Sequence, residues 1–116
     1  MWVRAVDGGE GMPAEGDTSP AGLRARLAEV EPAFRERVAA PALDGRADDT
    51  FVDATCDPPE TFTYGGVLAH VLTFSAVRRT MAIGALTDEG VDDLGAGDPM
   101  RFVGGSGEDA SRITRR

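Results

Sequence analysis

Apolar positions gather into two stretches and leave the rest of the chain polar. Between residues 20 and 38, Leu23, Leu27, Val30, Phe34 and Val38 recur at helical spacing, with Arg24, Arg26, Glu29, Arg35 and Glu36 mostly off that line. This is the signature of an amphipathic helix. Thr18 or Ser19 offers its N-cap, and Pro20 suits the first helical position, where a missing N–H costs nothing. Pro32 lies inside the pattern and predicts a kink or restart near Glu31.

The second stretch, residues 63–86, is apolar nearly all round. Its only charges are Arg78 and Arg79, and it carries the only histidine, His70. A helix is predicted, capped by Thr61 or Thr63 and stopped over 87–90, where Gly90 takes the left-handed position and Val91 packs back. At 1.5 Å per residue it spans roughly 36 Å. A helix of this composition is expected to be surrounded by protein. Its uncharged part, 64–77, falls short of the ~20 residues that cross a bilayer, so a core helix is expected rather than a membrane span.

The remaining segments read more simply. Residues 1–6 suit one helical turn with Trp2 and Val6 on one face, 7–17 a loop, and 41–49 a connection. Weak alternation over 50–56 suits a short extended stretch, with Val52, Ala54 and Cys56 on one side and Phe51, Asp53 and Thr55 on the other. Asp57-Pro58-Pro59 ends it. Asp98-Pro99 opens a short turn through Val103, and 104–116 lacks any apolar pattern and is expected to be a disordered tail. The predicted fold class is all-α: a helical domain over 1–103 followed by the 104–116 tail. Two helices cannot cover each other's apolar surface, so a homodimer that completes a bundle is expected.

Charge narrows the function classes. The 116 residues include 20 acidic and 12 basic, a net charge of −8. Such a field repels phosphate and disfavours nucleic acid and anionic membrane surfaces. Every basic residue is arginine, and Lys, Asn and Gln are absent, the codon signature of a GC-rich bacterial genome. The single cysteine, Cys56, cannot form an internal disulfide, and residues 1–11 hold no apolar core of signal-peptide length. A cytoplasmic protein is expected.

Chemistry-bearing residues are few. His70 shares a helical face with Phe74, Val77 and Met81, where a zinc or nickel site would need a further His, Cys, Asp or Glu; a packing histidine is expected. Arg78 and Arg79 suit either an anion clamp or a structural pair with Asp53, Asp57 or Glu60. Cys56 with His70 as base would make a thiolate nucleophile, yet Asp53 and Asp57 beside it raise a thiol pKa. The glycines of GGEG (8–11) and GAGDPM (95–100) match no phosphate loop. Asp92 and Asp93 lack calcium-loop spacing, and Ser75 lacks a G-x-S-x-G context. No catalytic or cofactor-binding residue is assigned.

The run TFVDATCDPPETFTYGGVLAHVLTFSAVRRTMAIGAL, followed by DLGAGDPMRFV, resembles the C-terminal part of DinB/YfiT-like proteins, in particular the actinobacterial variant. The resemblance covers roughly residues 2–103 and is most specific at Ala69-His70-Val71-Leu72-Thr73-Phe74 and Gly97-Asp98-Pro99-Met100. It implies a four-helix bundle, often dimeric, with a divalent metal held by three histidines in some members and mycothiol- or bacillithiol-dependent transferase or isomerase activity in others. If His70 matches the histidine that opens the family's H-x-x-x-H, the ligand positions fall at Phe74 and Arg78, and a further variant histidine falls at Val77. The first ligand's helix would precede Met1, leaving MWVRAVDGG as the end of a shortened second helix. The implied function is therefore a non-catalytic or degenerate member without the metal triad and without a cofactor. The alternative is a metal-dependent (zinc or nickel) thiol transferase or hydrolase with His70 as one ligand.

Overall fold

The computed structural model describes residues 1–95 and 97–99. In chain order they form α1 (Trp2–Val6), α2 (Pro20–Phe34), two π-helical segments (Arg35–Ala39 and Ala42–Arg46), β1 (Thr50–Asp53), β2 (Glu60–Thr63) and α3 (Tyr64–Asp88). The all-α expectation, and with it the four-helix bundle, is corrected by the antiparallel pairing of β1 with β2. The register is Thr50 with Thr63, Phe51 with Phe62, Val52 with Thr61 and Asp53 with Glu60. Both strands carry a Thr-Phe pair rich in β-forming side chains, and each pair meets its counterpart. Thr61, expected as a possible helix cap, is a strand residue.

Two compact units make up the chain, Met1–Val71 and Leu72–Arg116. In the first, Ser19 caps α2 through a bond from the Gly22 N–H to its hydroxyl oxygen at 3.1 Å, with Pro20 at the first helical position. Asp17 in turn accepts the Ser19 N–H at 2.8 Å, and this bond, with the Ser19 hydroxyl, holds the Asp17 carboxyl below its ordinary value. The restart expected at Glu31 does not occur there. The helix runs through Pro32 to Phe34, and the irregularity follows as the π-helical segment Arg35–Ala39. Glu31 and Arg35, paired at 2.7 Å, bracket the proline. A π turn adds a residue to the helical circuit and so re-phases the apolar stripe. Leu23, Leu27 and Val30 upstream are exposed, whereas Val38 inside the π segment is buried.

In the expected 41–49 connection the helix carries on from α2 but breaks at a kink, where Asp44 and Gly45 leave helical geometry, Gly45 with a φ of +84°. Glycine enters that left-handed region at no steric cost. Arg46 and Asp49, 2.7 Å apart, close the following turn. The Tyr64 N–H then reaches the Asp49 carbonyl at 3.1 Å and the Gly65 N–H the Ala47 carbonyl at 2.9 Å, tying the start of α3 to this turn. A Cβ on Gly65 would lie 3.1 Å from Ala47, so the close approach favours glycine.

The core of this unit is small. Ala5 of α1, Val38 and Val67 of α3 are its buried apolar residues among those described. α1, the predicted single turn, packs on β1 and on the first π segment. A chain of aromatic contacts extends the core: Trp2 meets Phe62 edge-on with ring centroids 5.6 Å apart, and Phe51 lies 6.4 Å from Phe62 and 5.3 Å from Tyr64. The Arg46 guanidinium sits 5.9 Å from the Tyr64 ring centre, within cation–π range.

In the second unit, α3 continues to Asp88 and stops as predicted. Gly90 has a φ of +80°, the Gly90 N–H bonds to the Thr87 carbonyl, and the Val91 N–H bonds to the Leu86 carbonyl. This is a Schellman ending. Thr80 and Thr87 donate their hydroxyls back to the carbonyls of Ala76 and Ile83, at 3.1 and 2.8 Å. The large side chains here are not enclosed, against the expectation of a surrounded helix. Leu72 is 64% exposed, Val77 54% and Met81 69%, with Phe74 and Leu86 near half. Ile83 and the Arg79 stem are better covered, because Gly97 lies so close that a Cβ there would come within 2.9–3.1 Å of them. Of the turn expected over 98–103 only Asp98 and Pro99 are described; the rest of it and the expected 104–116 tail lie outside the described residues.

Candidate functional site

The most tightly organised polar group is the turn that follows β1. Asp53, fully buried at the strand's end, accepts the Thr55 N–H at 2.8 Å and the Thr55 hydroxyl on one carboxylate oxygen, and the Cys56 thiol at 3.4 Å on the other. This is an aspartate folding its own loop into a turn. Burial works to raise the carboxyl, but the bonds from Thr55 and Cys56 outweigh it and hold Asp53 below its ordinary value. For Cys56 every major influence points the other way. Burial, the bond to Asp53, and the negative charges of Asp53 and Glu60 all push the thiol up. A nucleophilic cysteine needs the opposite setting.

His70 is an exposed residue of α3 whose ring stands edge-on to Trp2, with centroids 5.5 Å apart. With Trp2, Phe62, Thr63 and Val67 it borders a cleft of ≈ 520 Å³. The lack of ligand-type residues at helical spacing gives His70 a packing role in the sequence. Trp2 as the packing partner is not visible there, because that contact joins opposite ends of the unit and no local pattern records it. Among the described residues no group of three or more His, Cys, Asp or Glu is placed to hold a metal. The positions that the family resemblance assigns to metal ligands are held by Phe74, Arg78 and Val77, none of which can serve as one.

No ion pair among the described residues involves Arg78 or Arg79. Asp53 is engaged by Thr55 and Cys56, and the ion pairs among the described residues are Glu31–Arg35, Asp7–Arg37 and Arg46–Asp49. Arg78 is exposed, and Arg79 lays its aliphatic stem against Gly97.

The second half of α3 also exposes apolar side chains. At 100° per residue, Phe74, Val77, Met81 and Gly84 share one face. Leu72, Ala76, Arg79, Ile83 and Leu86 share nearly the opposite one. The second face is partly covered by Gly97; on the first, Val77 and Met81 stand more than half exposed. Leu72 and Leu86, more than two-fifths exposed, belong to the other face, so the exposed apolar side chains of this half of α3 do not form one contiguous patch. Among the described residues no helix is long and apolar enough to cross a membrane.

No family model, curated protein or solved structure matches this chain. The DinB/YfiT resemblance accordingly rests on the quoted residues alone.

Proposed function

We propose that this chain is a non-catalytic binding module whose working surface is the apolar side of α3. The observation that carries the reading is the exposure of Val77 and Met81 on a helix whose only charges before Asp88 are Arg78 and Arg79. Apolar side chains in that number are retained on a surface when another molecule covers them. The thiol-transferase alternative draws no support from the polar groups: Cys56 is held as a thiol, and His70 is engaged with Trp2. A lone free thiol suits the reducing cytoplasm.

The test is a Val77→Asp/Met81→Glu double variant, compared with the parent for binding of a hydrophobic dye and for stability in dilute solution. The reading expects dye binding to fall sharply while stability changes by about 0.5 kcal/mol per site or less, as at ordinary surface positions. A loss of several kcal/mol would show that these residues belong to an internal core and overturn the proposal.

A further inference from the structure

The hairpin leaves the outer edge of β2 open. The bond from the Tyr64 N–H to the Asp49 carbonyl continues the strand register by one pair. Hydrogen-bonded and non-bonded pairs alternate along an antiparallel ladder. Phe51 with Phe62 and Asp53 with Glu60 are therefore the bonded pairs, and the main-chain groups of Thr61 and Thr63 point away from β1. The Thr63 carbonyl belongs to the start of α3, which Thr63 caps through the Gly66 N–H at 3.0 Å. What remains is an outward row: the Thr61 N–H, the Thr61 carbonyl and the Thr63 N–H. None of the three has a hydrogen-bond partner among the described residues.

The cleft of ≈ 520 Å³ adjoins this row. Thr61, Phe62 and Thr63 line it in succession, together with Trp2, Val67 and His70. Successive side chains of a strand point to opposite faces, so a cleft that touches three in a row meets β2 along its edge. Its walls carry no charged side chain, and the Trp2 ring stands edge-on to both Phe62 and His70. Main-chain groups that repeat at the two-residue interval of a strand select an extended chain over a single ring, because a ring meets one such position and a strand meets both. β1 has α1 packed on it instead. We infer that β2 is the docking edge for an extended peptide, which adds a third strand through Thr61 and Thr63 and seats one large apolar side chain in the cleft against Trp2, Phe62 and Val67. Glu60 heads β2 and the chain carries a net charge of −8, so the residues flanking that side chain are basic.

The energetics set the affinity class. Water satisfies the outward groups in the free protein, so each new main-chain bond adds little, and the side chain in the cleft supplies most of the affinity. The interface is small and the association weak, saturating below about 1 mM peptide. Added salt weakens it further, by screening the attraction between a basic peptide and an acidic chain. The surface belongs to Met1–Val71 and stands or falls independently of the apolar side of α3 beyond it.

The experiment titrates the full chain with blocked pentapeptides Arg-Thr-X-Thr-Arg, X being Phe, Leu, Ala or Asp. It reads the fluorescence of Trp2, the only tryptophan, and amide hydrogen exchange at Thr61 and Thr63. The Phe peptide is expected to shift Trp2 emission saturably and to slow exchange at both amides, and the Asp peptide to bind roughly tenfold more weakly or worse. N-methylation at X and N-methylation at both threonines block opposite edges of a bound strand. One methylated form is expected to bind about tenfold more weakly than the Phe peptide and the other to bind as well as it does. Thr61→Pro, which deletes an edge N–H that the ladder does not use, is expected to weaken the Phe peptide to a similar degree; if that variant does not fold, the methylated pair carries the test. Failure of the folded parent to bind any of the peptides, or equal binding of the two methylated forms, would overturn strand addition. So would a lone ring, N-acetylphenylalaninamide, that binds as tightly as the Phe peptide, and that result would assign the cleft to small molecules.

Discussion

The β-hairpin region and the second half of α3 are built from similar amounts of apolar material and reach opposite outcomes. Around the hairpin, Trp2, Phe51, Phe62 and Tyr64 lie within 5.3–6.4 Å of a neighbouring ring, and the one buried carboxylate among the described residues is fully engaged by Thr55 and Cys56. Beyond Val71 the same helix exposes Leu72, Val77 and Met81 by more than half. Composition does not separate the two regions; what differs is whether another element lies alongside. Trp2 of α1 and Phe62 of the hairpin lie beside Val67, whereas among the described residues Gly97 covers one face of the later turns. Burial is thus a property of what the chain brings next to a residue.

Placing the same charge in each region sets them furthest apart. Val38→Asp, at a fully buried site, is expected to cost about 3–5 kcal/mol by denaturant unfolding. Val77→Asp, measured in dilute protein, is expected to cost about 0.5 kcal/mol or less. Equal losses would mean that the two regions are not distinct.

The next largest effect concerns Asp53. Replacing it with alanine strands the Thr55 N–H and hydroxyl and is expected to cost about 1–3 kcal/mol. The same residue gives an acid dependence whose sign follows from its lowered pKa. The folded carboxyl ionises more readily than the unfolded one, so its stabilisation is complete above the ordinary value of 3.8 and is lost as pH falls through the lower folded value. Thermal melts at stepwise lower pH are expected to show this component in the parent and not in Asp53→Asn. A component of equal size in both would assign the acid sensitivity elsewhere.

Smaller again is the cap of α2. Ser19→Ala is expected to lower stability by about 1 kcal/mol, readable as a shift in denaturant midpoint. The smallest effect is kinetic. Cys56 is expected to alkylate more slowly than an unhindered thiol at mildly alkaline pH, and faster in Asp53→Asn, where the negative charge and the acceptor that favours the protonated thiol are removed. A thiol that reacts faster than a free one would reopen the case for a nucleophile.

Much of this fold is legible from local chemistry. Ser19-Pro20 marks the start of α2, Thr63 the cap of α3, and Gly90 with Val91 its end, because caps and stops are decided by a few adjacent residues. The hairpin is not legible in the same way, although Thr50-Phe51 and Phe62-Thr63 form the matching halves of a pair. Thr61 and Thr63 offer the same hydroxyl to a helix cap as to a strand, and only the partner strand decides between them. Pro32 signals an interruption because it removes an N–H, yet the helix absorbs that loss and the break comes downstream in the π segment. For the candidate sites, the lack of metal-ligand types beside His70 is visible in the spacing, and its contact with Trp2 is not. The exposure of Val77 and Met81 is the least legible feature, since an apolar helix reads the same whether its cover comes from its own chain or from another.

Whether the Val77 and Met81 side of α3 is a working surface is decided by hydrophobic-dye binding and denaturant unfolding of the dilute chain, read together in the parent and in Val77→Asp/Met81→Glu. A surface open to a partner predicts strong dye binding in the parent, a sharp loss in the variant and a stability change of about 0.5 kcal/mol per site or less. Equal dye binding in both, or a stability loss of several kcal/mol, would contradict it.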